Sequence, residues 1–139
     1  MLVHLTNDDT IMRDGFKQFS DIGSFSRSVE DSESTELVCD FFLSAFEYKD
    51  VEKVISLVLR KIRMGGKLVI EDFDFPMLFR VMKDLDELAV LNKVVSSKTK
   101  FVKSFLGLNE VQKHIPDNFE TKIRQYKDGT FLLELERKS

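Results

Sequence analysis

Asp40 is the residue best placed to do chemistry. It interrupts the dense apolar run Glu36 to Phe42, near the carboxyl end of an expected central strand, and a short run of that kind suits a strand buried on both faces of a parallel sheet. Open α/β sheets hold their ligands beyond the carboxyl ends of the strands. A carboxylate there could accept a proton or orient a nucleophile, or it could cap backbone amides. Asp72 and Asp74 follow the next such run, Lys67 to Glu71. They carry the same two readings, lining one cleft with Asp40 or capping the helix that follows. His4 stands inside the first apolar run, Leu2 to Leu5, as a catalytic base or as a hydrogen-bonded structural residue. His114 closes a polar helical stretch and is expected to be solvated. Cys39 is the only cysteine, which rules out an intrachain disulfide and fits a small buried side chain. Two histidines and one cysteine do not make a zinc site, and the carboxylates lack the spacing of a cation loop. No metal is expected. Lys93, Lys98, Lys100 and Lys103 gather around Phe101, as a contact for a phosphate-bearing partner or as a solvated face.

The elements that must position these residues are legible in part. Val51, Val54, Ile55, Val58 and Ile62 fall on one face of a helix. Asp50 is the expected N-cap, Arg60, Lys61 and Arg63 favour the C-terminus, and Gly65-Gly66 is expected to end the helix. Lys67 to Glu71 then reads as a strand, so strand, helix and strand form a right-handed βαβ unit. Phe16 to Ile22 is a candidate short strand after Asp14-Gly15. Gly23 to Ser34 reads as a connection with room for a brief strand or helical turn. Met77, Leu78, Val81, Met82, Leu85, Leu88 and Ala89 make a second stripe, a helix from about Pro76 to Val95. Leu108 to Ile115 is a shorter helix stopped by Pro116. Phe119 to Tyr126 and Thr130 to Arg137 flank Lys127-Asp128-Gly129, the signal of an antiparallel hairpin.

Composition bounds the rest. The chain has 139 residues, 42% of them hydrophobic, with 13 phenylalanines, enough for a single domain over residues 1–139 with one core. Net charge is −3, so general nucleic-acid binding is not expected. No apolar run approaches the roughly 20 residues that span a bilayer, and the N-terminus lacks the pattern of a signal peptide. A cytoplasmic protein without a membrane partner is expected.

A mostly parallel sheet closed by an antiparallel hairpin resembles the class I S-adenosylmethionine (SAM)-dependent methyltransferases, and among them the type 11 branch. Glu36-Leu37-Val38-Cys39-Asp40-Phe41-Phe42-Leu43 is similar to the family's fourth strand. Asp50 through Ile62, Gly65-Gly66 and Lys67-Leu68-Val69-Ile70 resemble the helix, glycine turn and strand that follow it, here without the family's proline before the glycines. Ser97 to Ser139 is similar to the family's tail. The opening departs from the pattern. The family carries a glycine-rich loop straight after strand one, whereas Leu5 is followed by Thr6-Asn7-Asp8-Asp9, with no glycine before Gly15. The first βαβ unit is also short, at about 20 residues against roughly 30.

The resemblance implies an α/β, Rossmann-like, mostly parallel sheet with helices on both faces, a C-terminal antiparallel hairpin and a shortened first half. It also implies a SAM-dependent methyltransferase acting on a small molecule, a sugar or a protein. Thr6 and Asn7 would stand in for the glycine loop. Asp21 would hold the ribose from the end of strand two, Phe41 would contact the adenine (Phe42 and Phe46 offer rings as well), and Asp40 would orient the acceptor. All three phenylalanines, near a strand end, read more readily as core. The rival expectation is a catalytically inactive relative that binds a partner or forms a homo-oligomer, favoured where a shortened first half leaves apolar sheet uncovered. A different small ligand in the same cleft, such as a nucleotide, is the third reading, and the missing glycines weigh against it too.

Overall fold

The computed structural model describes residues 1–7, 12–81, 102–125 and 129–139. Six strands form one sheet in the order β2-β1-β3-β4-β6-β5. They are β1 (Leu2–Thr6), β2 (Lys17–Phe19), β3 (Ser34–Asp40), β4 (Ile62–Phe73), β5 (Phe119–Gln125) and β6 (Thr130–Arg137). β2, β1, β3 and β4 run parallel. β6 lies antiparallel to β4 and to β5, so the expected closing hairpin is present; its turn residues 126–128 lie outside the described residues. The helices are α1 (Ile22–Ser28), α2 (Tyr48–Lys61), α3 (Phe75–Val81) and α4 (Leu108–Gln112), with a 3-10 turn at Leu43–Ala45.

Strand alternation divides the sheet into two faces. Val3, Leu5, Leu37, Cys39, Leu68, Ile70, Leu133 and Leu135 share the first face and one continuous core. Phe25 and Val29 from the α1 region cover it, with Val51, Val54, Ile55 and Val58 of α2 and Leu108 and Val111 of α4. The α2 stripe is the one read from the sequence. On the second face, Phe73 packs with Phe75 and Leu78 of α3 and with Phe41. Helices therefore lie on both faces, as the fold expectation required. Below that cluster, Glu36, Lys67, Glu120, Lys122, Glu134 and Glu136 line an open groove of about 300 Å³. Charged side chains thus line this groove together with Leu68, Val69 and Leu135.

Several boundaries differ from expectation for local reasons. The residue capping α2 is Glu47, which keeps extended backbone without a side-chain cap bond, while Asp50 sits in the first turn. There it still meets the positive end of the helix dipole. Gly65-Gly66 does not end the helix, which stops at Lys61 and passes directly into β4. The glycines instead serve an irregularity where β4 shifts register against Ser34 and Glu36. A Cβ on Gly66 would come within 2.8 Å of the Arg63 carbonyl and 3.0 Å of the Ser34 carbonyl, so the close backbone approach requires glycine. Gly23 to Ser34, read as a connection, holds α1, whose N-cap is Asp21. Its apolar signal is only Ile22, Phe25 and Val29 among serines, too short to display a period. The second stripe begins as α3; its remainder, from residue 82, lies outside the described residues, as do Lys93, Lys98 and Lys100.

Candidate functional site

The carboxyl ends of β1, β2, β3 and β4 bring together Thr6, Phe19, Asp40 and Phe73. In the β1–β3 register Thr6 lies opposite Asp40 and His4 opposite Val38. His4, Thr6 and Asp40 therefore share the second face, and His4 stands two residues below Asp40 on the neighbouring strand. The His4 Nε2 meets Asp40 Oδ2 at 2.7 Å, with the His4 side chain fully buried and Asp40 nearly so. Arg13 reaches in from the segment after β1 and donates through Nε and Nη2 to the same oxygen, each at 3.3 Å. Burial raises the Asp40 pKa, but the His4 hydrogen bond and the charge and hydrogen bond of Arg13 outweigh it and hold the carboxyl below its ordinary value. An ionised Asp40 can only accept, so His4 Nε2 carries the hydrogen. The Nδ1 atom of His4 is buried without a hydrogen-bond partner. All described hydrogen bonds to Asp40 fall on Oδ2.

Just beyond Thr6, the Nδ2 of Asn7 is buried and without an acceptor. Thr6 itself is buried and engaged. Asp21 is exposed at the head of α1, its carboxylate accepting from the amides of Gly23 (3.2 Å) and Ser24 (3.0 Å) and from the Ser24 hydroxyl (2.8 Å). The Ser24 hydroxyl bond, followed by the two amide bonds, lowers its pKa. Asp21 is thus a helix cap at the end of the second strand, and its position follows from that capping. Phe41 takes a left-handed backbone (φ 50), uncommon for a bulky residue, while its amide continues the parallel ladder to the Glu71 carbonyl at 2.8 Å. The turn separates two neighbours. Phe41 stacks on Phe73, 4.8 Å between centroids, whereas Phe42 enters the main core against Phe46.

Asp72 lies on the first face of β4, fully buried. It accepts from the Ser44 amide at 3.1 Å and the Phe73 amide at 2.8 Å. It pins the Leu43–Ala45 turn that follows β3 and leaves capping of α3 to its neighbour. Burial raises its pKa to about 6 against the opposing pull of these amides. Asp74 precedes α3, its carbonyl accepting from the Leu78 amide and its carboxylate from Gln125 Nε2 at 3.1 Å. Burial, with the charges of Asp40 and Asp72, pushes the Cys39 thiol far up, so it is not a nucleophile at neutral pH. His114 lines a surface groove with Arg60 and Arg137 near the amino ends of β3 and β4.

Sequence reasoning singled out Asp40 and missed Arg13, whose contact comes from the fold of a connection and leaves no spacing signal. His4 was read as a lone histidine; the signal that pairs it with Asp40 is strand parity, visible only once β1 and β3 are known to be neighbours.

No family model matches this sequence, and no curated protein does. Solved structures do match. A SAM-dependent methyltransferase from Archaeoglobus fulgidus aligns over 96% of this chain and 74% of its own, with a TM-score of 0.65 at 11% identity. An O-methyltransferase family protein from Burkholderia thailandensis aligns over 89% of this chain but 36% of its own, with a TM-score of 0.60 at 16% identity. A chain from Sulfolobus solfataricus, provisionally named a type 11 methyltransferase, aligns over 99% and 72%, with a TM-score of 0.56 at 15% identity. The fold is that of the SAM-dependent methyltransferases. At these identities the likeness concerns architecture, and the present chain spans about a third to three quarters of the lengths it matches. Within this methyltransferase-like fold, Thr6 ends the first strand and Asn7 follows it, Asp21 follows the second, and Asp40 ends the strand beside the first. Among the described residues no group of histidine, cysteine and carboxylate side chains could hold a metal ion. No described helix is long and apolar enough to cross a membrane.

Proposed function

We propose that the domain binds SAM over the carboxyl ends of β1 and β2 and transfers its methyl group to an acceptor held at Asp40. The observation that carries this reading is the Asn7 side chain. Its amide nitrogen is buried without an acceptor directly after the first strand of a methyltransferase-like sheet. A buried donor left unmade costs about 1–3 kcal/mol, and a carboxylate or carbonyl oxygen of a bound ligand would satisfy it. Asn7 and Thr6 would hold the amino-acid end of SAM, with Asn7 donating. Asp21, exposed and ionised, has about one acceptor site left, on Oδ1, for a ribose hydroxyl beyond its three capping bonds. When bound, SAM supplies a methyl group already activated on a sulfonium leaving group. The protein's part is then positioning. His4 and Arg13 fix Asp40 through Oδ2, and Oδ1 accepts a hydrogen bond from the hydroxyl or amine of the acceptor.

One observation favours a second reading, in which the fold persists as a binding module without methyl transfer. Arg13 already occupies Asp40 from the segment that replaces the glycine loop. Calorimetric titration with SAM and with S-adenosylhomocysteine separates the two. Micromolar binding that is lost in Asn7→Ala and in Asp21→Ala is the result expected for the first. A cooperatively folded protein giving no heat with either ligand at millimolar concentration would leave only the second.

A further inference from the structure

Phe79 and Phe105 are large apolar side chains, 46% and 69% exposed, and they stand together. Their ring centroids are 5.8 Å apart, nearly perpendicular, and both rings touch the buried Phe75, at 5.9 Å and 5.0 Å. The series continues inward from Phe75 to Phe73 at 5.3 Å and from Phe73 to Phe41 at 4.8 Å, and Phe41 is the residue after Asp40. Two separate parts of the chain bring the exposed rings to this rim. α3 leaves the carboxyl end of β4 carrying Phe79, and the stretch 102–107 crosses back with Phe105. That stretch is tied down by the Lys103 and Ser104 amides on the Ser44 carbonyl and by the Phe75 amide on the Leu106 carbonyl at 2.9 Å. The rings are thus held by a fixed backbone at the same edge of the sheet as Asp40.

We infer that Phe75, Phe79 and Phe105 form a subsite for a flat, apolar ring, and that the methyl acceptor carries such a ring beside its hydroxyl or amine. Among the described residues, the exposed apolar area is too small for a macromolecular partner. A phenylalanine buries about 150–250 Å², so the exposed parts of these two rings amount to roughly 200 Å². A stable protein interface needs about 800 Å² on each side, whereas an aryl group covers a patch of this size. Phe79 and Phe105 meet nearly perpendicular and are both exposed, and an added aromatic ring can meet an exposed ring offset-stacked or edge to face. A saturated ring of equal size gains the burial without those contacts. This inference deepens the methyl-transfer reading by naming the acceptor class, and it rests on that reading only for the word acceptor.

The chain contains no tryptophan, so Phe105→Trp introduces a single reporter at the subsite. The test titrates that variant with 2-naphthol and, as the saturated control, with decahydro-2-naphthol, following tryptophan emission. In parallel, calorimetry compares wild type with Phe79→Ala/Phe105→Ala, whose folding is checked by thermal melt. Expected are saturable sub-millimolar binding of 2-naphthol, at least tenfold weaker binding of the saturated alcohol, and at least tenfold weaker 2-naphthol binding by the double variant. Equal affinity for both alcohols, or undiminished binding by a folded double variant, would overturn the inference. So would a wild-type dimer in sedimentation that the double variant abolishes, since the rings would then be an interface between copies. Naphthol binding without SAM binding would leave the subsite standing and remove methyl transfer. SAM binding without naphthol binding would do the reverse.

Discussion

Two carboxylates stand at the carboxyl ends of adjacent parallel strands and are held in opposite ways. Asp40 ends β3 on the second face, clasped by the side chains of His4 and Arg13, and stays ionised below its ordinary pKa. Asp72 lies near the end of β4 on the first face, fully buried among backbone amides, with its pKa raised to about 6. A charge paired with side chains, one of them partly exposed, can change partner when a ligand arrives. A carboxyl gripped by the amides of its own fold cannot, so its work is to fix the turn that carries Phe42, Leu43 and Ser44. Similar residues at similar strand positions thus divide into a site and its support, and the face each one points to decides which it becomes.

The contrast breaks most visibly if Asp72 is removed. Asp72→Ala leaves buried amides at Ser44 and Phe73 without an acceptor, a loss of about 3 kcal/mol, which a thermal melt reads as a fall of about 10 °C. A change below 2 °C would show that the turn does not depend on it. Asp40→Ala costs less, about 2 kcal/mol, because it strands only the buried His4 N–H. Its diagnostic is coupling. His4→Phe combined with Asp40→Ala should recover at least 1 kcal/mol relative to the sum of the single changes, measured by denaturant unfolding, and strict additivity would contradict the pairing.

The pH dependence sharpens the same comparison. The folded pKa of Asp72 lies above its unfolded value of 3.8. The native state therefore retains a proton that the unfolded chain has released, and the contribution of Asp72 to stability falls as pH rises from about 4 to 6. Asp40 has a lowered folded pKa, so its contribution is present above about pH 4 and is lost as pH falls through that lower value. In a melting series over pH 4–7, Asp72→Asn should remove a declining component that the wild type shows; parallel curves would place Asp72 in water. The smallest effect belongs to Arg13→Ala. Its side chain is 42% exposed, and a pair of that kind is worth under about 1 kcal/mol, yet its removal should raise the Asp40 pKa, read by carbon NMR of the carboxylate. An unmoved pKa would mean that Arg13 does not clasp Asp40 in solution.

How much of this could be read beforehand follows the range of each interaction. The α2 stripe from Val51 to Val58 and the strands flanking Asp128-Gly129 were legible because a local period or turn residue carries them. Asp40 was legible as a polar interruption of an apolar run. Gly65-Gly66 misled because a helix stop and a strand irregularity both call for glycine, and only the carbonyls of Arg63 and Ser34 distinguish them. The Asp40–His4 pair, the Arg13 clasp and the grip of Asp72 on the Ser44 amide join residues 36, 27 and 28 positions apart. None leaves a trace in spacing. The ring series is similar: Phe41, Phe73, Phe75, Phe79 and Phe105 are ordinary core candidates until the fold shows two of them facing water.

Cofactor binding at the ends of β1 and β2 is most directly tested by amide and side-chain nitrogen NMR spectra of the intact protein with and without S-adenosylhomocysteine. Saturable shifts centred on the Asn7 side-chain amide and the backbone amides of Ser20, Asp21 and Ile22, with the amides around Arg60 and Arg137 unmoved, are the result predicted. A spectrum that S-adenosylhomocysteine leaves unchanged at millimolar concentration, or shifts confined to the amino ends of β3 and β4, would contradict it.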